Sequence, residues 1–161
     1  MAAAAEPVTL REITAETVIA VVRLEVAPAQ KRFVAPNAVS LAQALFAPEA
    51  WYRAIYLGEQ PVGFVMLADD SLRDPVPAQP EVGVWRFMVD ARFQRRGIGR
   101  AALQLVIGHV RRKGLFDRLL ISYVPGEGGP EALYLSLGFE PTGEVDEGEV
   151  VLALPLGRPP A

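Results

Sequence analysis

The chain has 161 residues, contains no cysteine and carries a formal net charge of -3, with a sequence pI of about 5.2. This length suits one domain that buries most of its apolar surface without a disulfide or a metal ion. Because cysteine is absent and His109 is the one histidine, the sequence predicts neither a thiolate nucleophile nor a metal site. The acidic balance argues against sequence-independent binding of nucleic acid and suits a small cationic substrate.

The sequence gives no signal for export or for insertion into a membrane. The opening MAAAAEPVTL lacks a basic start and a leucine-rich stretch, and no uninterrupted run of about eighteen apolar residues occurs. We therefore expect a cytoplasmic protein without a membrane partner. We also expect a single domain over 1–161, because no repeat is visible, the Pro-rich piece at 74–80 is typical of a loop, and 157–161 form a tail.

The first half of the chain predicts a strand, two helices and a hairpin. A short strand covers 8–12. Apolar residues at helical spacing behind Thr14, a typical capping residue, predict a helix over 15–26. The same spacing in PNAVSLAQALF predicts a second helix with Asn37 as its cap. WYRAIYL and VGFVMLA then predict two strands of a hairpin around the turn GEQP.

The second half predicts a strand, helix, strand crossover followed by a short helix and two strands. The strand EVGVWRFMV precedes the amphipathic helix GIGRAALQLVIGHVRRKG, which ends at Gly114, and the strand DRLLISYV follows. Such a crossover most naturally joins parallel strands. PEALYLSLG predicts a short helix with Pro130 in its first turn and Gly138 at its end, before the strands FEPTGEV and EVVLALPL. These elements predict a mixed α/β architecture with a central sheet.

The segment QRRGIG, at the entrance of the long helix, has the composition of an anion site. Gly97 and Gly99 allow backbone N–H groups to approach an anion closely, and the helix N-terminus adds partial positive charge. Arg95, Arg96 and Arg100 strengthen this field, because guanidinium groups match phosphate oxygens. The alternative is a tight turn with solvated arginines.

Three kinds of phosphate-binding loop compete for this segment. A P-loop is excluded because the helix start lacks the lysine and the hydroxyl residue that such a loop requires. A dinucleotide-binding turn matches the spacing of Gly97, Gly99 and Ala102. Its context fails, because seven residues separate the strand end at Val89 from the first glycine and Asp117 begins its strand. The third kind is the pyrophosphate loop of acyl-CoA transferases.

The sequence WRFMVDARFQRRGIGRAAL resembles the cofactor motif of the GNAT N-acetyltransferases, Gln/Arg-x-x-Gly-x-Gly/Ala after a strand that ends Val-Asp. LYLSLGF, which contains Tyr134, is similar to that superfamily's Leu-Tyr-x-x-x-Gly-Phe, and the order of elements agrees over nearly the whole chain. VAPAQKRFVAPNAVSLAQA and RFMVDARFQ look most like the spermine/spermidine branch. The resemblance implies the GNAT fold, a central mixed, twisted sheet of about seven strands flanked by about four helices. It also implies acetyl-CoA as the donor and no metal.

By this resemblance, two groups of residues would bind acetyl-CoA. Backbone groups of the strand end would face the pantetheine arm, and a backbone N–H near Met88 would polarise the thioester carbonyl. The loop and the helix start would receive the pyrophosphate. The strand residues are Phe87, Met88 and Val89, and the loop residues are Gln94, Arg95, Arg96, Gly97, Ile98, Gly99 and Arg100.

The resemblance also implies that Tyr134 is the general acid that gives a proton to the departing CoA thiolate. The alternative is an aromatic core residue on a short helix. The family often has asparagine and alanine before this tyrosine, where the chain has Glu127 and Pro130. The chain thus departs from the family at the asparagine that contacts CoA.

The chemistry needs a base, because an alkylamine with a pKa near 10 is almost all ammonium at neutral pH. Some relatives place a glutamate base where this chain has Ser122, which cannot act as one. Our candidate base is Glu81, acting through water from the start of the strand that leads to the cofactor site. Glu25 and Glu127 are candidates for binding a cationic substrate. For each of these carboxylates the alternative is ordinary surface charge.

Together, these features predict an N-acetyltransferase whose acceptor amine attacks acetyl-CoA directly in a ternary complex. The expected acceptor is a polyamine or a similar small primary amine. Alternative acceptors are a peptide or protein N-terminus, an amino acid or an aminoglycoside. From other classes, the alternatives are a non-catalytic acyl-CoA-binding module and a dinucleotide-dependent oxidoreductase. The resemblance allows a homodimer, but nothing in the sequence marks an interface.

Overall fold

Seven strands form one sheet with four α-helices on its faces in the computed structural model, which describes residues 5–157. This architecture confirms the predicted fold class. The tail predicted at 157–161 lies outside the described residues, apart from Gly157. The strands are β1 (Val8–Arg11), β2 (Ala50–Leu57), β3 (Gln60–Asp69), β4 (Val82–Val89), β5 (Arg118–Tyr123), β6 (Glu140–Asp146) and β7 (Glu149–Pro155). The helices are α1 (Val18–Val22), α2 (Asn37–Ala44), α3 (Ile98–Lys113) and α4 (Glu131–Ser136).

The strand order is β1-β2-β3-β4-β5-β7-β6, and β4 and β5 form the parallel pair that the crossover through α3 predicts. Every other neighbouring pair is antiparallel. The pairing of β4 with β5 stops at Val84 and Ile121, so the two strands separate beyond that point. On its other side, β4 has a register shift against β3 that leaves Trp85 without a partner. Such a bulge bends a strand and redirects its side chains.

Alternation along the central strands divides the apolar core into two layers. In β3, Val65 and Leu67 belong to the layer that contains α3 and α4, whereas Phe64 and Met66 belong to the layer that contains α1 and α2. Successive side chains of a strand point to opposite faces, so one strand supplies both layers. The centre of the sheet is therefore covered on both sides.

Helix α3 begins and ends at glycines that the sequence marks. Gly97 precedes the helix with φ +77° and Gly114 follows it with φ +65°, both in the left-handed region that favours glycine. The apolar positions of the helix recur at helical spacing and are buried. They are Ile98, Ala102, Leu103, Val106, Ile107 and Val110.

The prediction of a helix over 15–26 is wrong in extent, because α1 spans five residues. Before it, Thr17 directs its side chain to the backbone N–H of Thr14 at 2.9 Å, which forms a closed turn in place of a cap. After the helix, the backbone of Glu25 forms hydrogen bonds with the residues that follow β4. The N–H of Glu25 donates to Asp90 Oδ2 at 3.0 Å, and the N–H of Ala91 donates to the Glu25 carbonyl at 2.9 Å. These tertiary hydrogen bonds replace helical ones.

The prediction that Asn37 caps the second helix is also wrong. Asn37 is the first residue of α2, and this residue is 3% exposed. Its amide donates a 2.9 Å hydrogen bond to the carbonyl of Val21. Asn37 therefore joins α1 to α2 by satisfying a carbonyl at the end of α1.

Candidate active site

A cleft of about 1160 Å³ opens where β4 and β5 separate and continues over the N-terminus of α3. It has two ends of different chemistry. We call the part formed by residues 94–100 the loop end. We call the other part, lined by Asp146, Glu147 and Glu149, the acidic end.

The loop end presents free backbone donors to the cleft. The first hydrogen bond of α3 runs from the N–H of Ala101 to the carbonyl of Gly97, so the N–H groups of residues 98–100 have no acceptor within the helix. A Cβ added to Gly97 would meet nothing within 4 Å, so open space lies before the helix. Arg95 has φ +64°, which turns the chain sharply into the helix. This geometry suits an anion, as QRRGIG predicts.

Most of the predicted cofactor residues line this cleft. They are Phe87, Met88, Val89, Gln94, Arg95, Gly97, Ile98, Gly99 and Arg100. The predicted residue outside the lining is Arg96, whose guanidinium lies over the ring of Phe93 at 5.6 Å. Gln94 uses its side-chain amide to bond the Val89 carbonyl at 2.9 Å and Gln30 Oε1 at 2.8 Å. The amide of Gln94 therefore fixes the loop against the end of β4.

Asp90 anchors the chain between β4 and the loop end. Its carboxylate is buried and accepts hydrogen bonds from the N–H and Nε of Arg92, both at 2.9 Å, and from the N–H of Glu25. Burial by itself would raise the pKa of this carboxyl, but the hydrogen bonds from Arg92 and Glu25 outweigh it and hold the pKa below its usual value. The ionised carboxylate therefore holds the loop in place at neutral pH.

Tyr134 reaches the cleft from α4 while packing in the core. It is 6% exposed, with ring centroids 6.3 Å from Tyr123 and 6.1 Å from Phe139. Burial, and in second place the Glu149 carboxylate, raise the pKa of its phenol above the ordinary value. Among the described residues, no side chain or backbone group hydrogen-bonds to this phenol. The phenol therefore stays protonated at neutral pH, as a proton donor must.

The three carboxylates predicted for base and substrate roles do not line the cleft. Glu81 is exposed, and its Oε1 lies 3.4 Å from a guanidinium nitrogen of Arg118. Glu25 is exposed and lies 3.6 Å from Lys31. Glu127 is exposed in the loop before α4. The structure therefore does not support Glu81 as the base. The sequence placed Glu81 at the start of the strand that leads to the cofactor site, but it did not show which way the side chain points.

The acidic end contains residues that the sequence did not single out. Glu149, the first residue of β7, is half-buried, and its Oε2 accepts a 2.9 Å hydrogen bond from Ser122 Oγ. Arg86 is also half-buried; burial lowers its pKa, while the nearby Glu149 raises it. A terminal nitrogen of Arg86 donates to Gln43 Oε1 at 3.1 Å, and its Nε has no partner among the described residues. No local pattern marks Arg86 or Glu149, because the sheet brings them together from distant parts of the chain.

The model of the acetyltransferase (GNAT) family matches residues 20–139 of this chain. The chain belongs to the GNAT family. It is 30% identical over 111 residues to the ribosomal protein bS18-alanine N-acetyltransferase of Salmonella typhimurium, covering 62% of this chain and 74% of that protein. It is 27% identical over 150 residues to the spermine/spermidine N(1)-acetyltransferase of Bacillus subtilis, covering 90% and 96%. A GNAT acetyltransferase of Elizabethkingia anophelis, solved with acetyl-CoA bound, shares the fold with a TM-score of 0.62, 18% identity and coverage of 92% and 97%.

As a GNAT acetyltransferase, the chain is an acyltransferase that uses acetyl-CoA as its donor. The cleft fits this donor, because the loop end offers unpaired N–H groups for a pyrophosphate and the separated strands leave room for an extended arm. Within residues 5–157, no cluster of three or more His, Asp or Glu side chains is placed to hold a metal ion. In the same range, no helix has the length and apolar character needed to cross a membrane.

Proposed function

We propose that this GNAT enzyme acetylates a small cationic primary amine, with a polyamine as the preferred acceptor. The acidic end of the cleft carries this proposal. Its lining includes the carboxylates of Asp146, Glu147 and Glu149 and the guanidinium of Arg86. A chain with several ammonium groups matches this charge, because charge-assisted hydrogen bonds to carboxylates are among the stronger ones. The spermine/spermidine acetyltransferase, similar over 90% of this chain, supports the same acceptor class.

A second candidate acceptor is a protein N-terminus. The 30% identity to the ribosomal protein bS18-alanine N-acetyltransferase supports this candidate. Both acceptors present a primary amine to the same thioester. They differ beyond the reacting nitrogen, because a polyamine carries further ammonium groups and a peptide carries neutral carbonyls. The carboxylates of the acidic end support the polyamine over the peptide as the acceptor.

In this proposal, the donor and the acceptor bind at opposite ends of the cleft. The loop end would hold the donor's pyrophosphate, and the backbone of Phe87, Met88 and Val89 would face the pantetheine arm, with a backbone N–H near Met88 toward the thioester carbonyl. The acceptor would enter from the acidic end and attack directly. Tyr134 would give its proton to the sulfur as the C–S bond breaks. Holding both substrates side by side supplies much of the acceleration in such a site.

The test is the rate of thiol release from acetyl-CoA with matched acceptors. Spermidine, a peptide beginning with alanine, and a monoamine of similar length to spermidine are compared under the same conditions. We expect kcat/KM for spermidine to exceed that for the monoamine by about tenfold or more, because one charge-assisted hydrogen bond contributes about 1.5–3 kcal/mol. Faster transfer to the peptide would overturn the polyamine proposal in favour of the second candidate.

Three further expectations remain predictions for this enzyme: one domain over 1–161, a homodimer, and a cytoplasmic location. A non-catalytic role would follow only if the protein bound acetyl-CoA and no thiol were released from it with any of these amines.

A further inference from the structure

We propose that Glu149 takes the proton from the acceptor's ammonium group and that Ser122 holds its carboxylate in position. This inference rests on the proposed transfer to an amine. It assigns the missing base to β7, which lies on the opposite side of β5 from β4, the strand that Glu81 precedes.

Among the three carboxylates of the acidic end, Glu149 is the one placed for proton transfer. A further carboxylate of the cleft lining, that of Glu49, directly precedes β2 and pairs with Arg73, whose terminal nitrogen lies 3.1 Å from Glu49 Oε1. Asp146, the last residue of β6, and Glu147, in the turn after it, are exposed to solvent. Glu149 is half-buried, and among the described residues it has no ion-pair partner within 4 Å, only the hydroxyl of Ser122. Its carboxylate is therefore fixed but not neutralised.

The position of Ser122 places this carboxylate at the reacting centre. Ser122 is the first residue of β5 beyond the last pair with β4, so it stands where the two strands separate. The donor's thioester would lie in this gap if its arm follows the end of β4. An amine that approaches from the acidic end passes Glu149 before it reaches the gap.

The charged groups around Glu149 agree with this role. The carboxylate interacts electrostatically with Tyr134 of α4 and with Arg86 of β4. Asp146 and Glu147 add negative charge from the turn before β7. The candidate base and the candidate acid are thus close enough to affect each other across one cleft.

The proton balance closes with these two residues. The carboxylate of Glu149 takes one proton from the ammonium, which leaves a neutral amine with a free electron pair. That pair forms the N–C bond, and the C–S bond breaks as the phenol of Tyr134 gives its proton to sulfur. The phenolate regains a proton from the acylated nitrogen, and Glu149 releases its proton to water. One proton leaves for each acetyl group transferred.

The test replaces the carboxylate by an amide of the same shape, Glu149→Gln, and follows kcat and KM for spermidine from pH 6 to 10. We expect kcat/KM at pH 7 to fall by about 10²-fold or more, with calorimetric affinity for acetyl-CoA retained. The loss should shrink as pH rises, because the fraction of neutral amine in solution grows about tenfold per pH unit below the amine pKa. The matched control is Glu144→Gln, which removes an exposed carboxylate on β6 outside the cleft and should keep the rate and the pH profile.

A second variant guards against a merely structural effect. Because Ser122 Oγ lies 2.9 Å from the carboxylate, Ser122→Glu in the Glu149→Gln background returns a carboxylate to nearly the same place. We expect at least a tenfold recovery of kcat/KM at pH 7 and the return of the original pH profile. Ser122→Ala alone should reduce the rate by a smaller factor, because it removes only the group that holds Glu149.

The outcomes separate this role from the proposed function. If Glu149→Gln raises KM but leaves kcat and the pH profile unchanged, Glu149 only binds the substrate and its role as base is wrong. The same conclusion follows if the double variant stays as slow as the single one. If the unchanged enzyme binds acetyl-CoA but transfers to no amine, the proposed function itself fails, and this role fails with it.

Discussion

Replacing Tyr134 with phenylalanine separates acid catalysis from packing, because it removes one hydroxyl and keeps the ring. The contacts with Tyr123 and Phe139 remain, and no hydrogen bond to another described residue is lost. We therefore expect the free energy of unfolding to change by less than about 1 kcal/mol. A positioned general acid contributes about 10²–10⁴-fold, so kcat should fall by about 10²-fold or more. This corresponds to about 2.7 kcal/mol of lost transition-state stabilisation.

The assay is thiol release at saturating acetyl-CoA and amine, with calorimetric affinity for acetyl-CoA measured beside it. Because the pKa of Tyr134 is raised above its ordinary 10.0, ionisation of this phenol should cost the unchanged enzyme no activity up to about pH 10. Tyr123→Phe is the matched control, since its hydroxyl interacts with Glu131 in the same aromatic cluster. The reasoning is refuted if Tyr134→Phe keeps kcat within about twofold, or if Tyr123→Phe loses as much.

Two further predictions concern the backbone that positions the cleft. A Cβ added at Gly63 would lie close against the Met88 carbonyl oxygen, so Gly63→Ala should lower the free energy of unfolding by about 3 kcal/mol and weaken acetyl-CoA binding. Urea unfolding measures the stability and calorimetry measures the affinity for acetyl-CoA. The control is Gly126→Ala, where an added Cβ meets nothing within 4 Å, and it should change neither quantity. Equal effects of Gly63→Ala and Gly126→Ala would contradict the prediction. Because the folded-state pKa of Asp90 is lowered, its stabilisation is complete above its usual pKa of 3.8 and is lost as pH falls through the lower folded value. Asp90→Asn should thus lower the free energy of unfolding by about 2 kcal/mol at pH 7, and this difference between variant and unchanged enzyme should narrow below about pH 4. A difference independent of pH would exclude the charge of Asp90 as its cause.

Local patterns predicted most of the fold. Gly97 and Gly114 bound α3 because each adopts a left-handed conformation that other residues avoid, and that requirement is visible in the sequence. The alternating strands and the crossover through α3 followed from periodicity and from the tendency of such a crossover to join parallel strands. The first helix was predicted too long, because the hydrogen bonds of Glu25 with Asp90 and Ala91 belong to a distant strand.

The two ends of the cleft differ in how much of each could be predicted from the sequence. The loop end is continuous in sequence, so the glycines and arginines of QRRGIG by themselves predict an anion site at the start of a helix. The acidic end joins Arg86 of β4, Ser122 of β5 and Glu149 of β7, which only the sheet order brings together. A single sequence does not encode that proximity locally, because it depends on which strands pair and on where β4 and β5 separate. For the same reason only the tertiary structure decided that Glu81 faces Arg118 outside the cleft while Glu149 lines it.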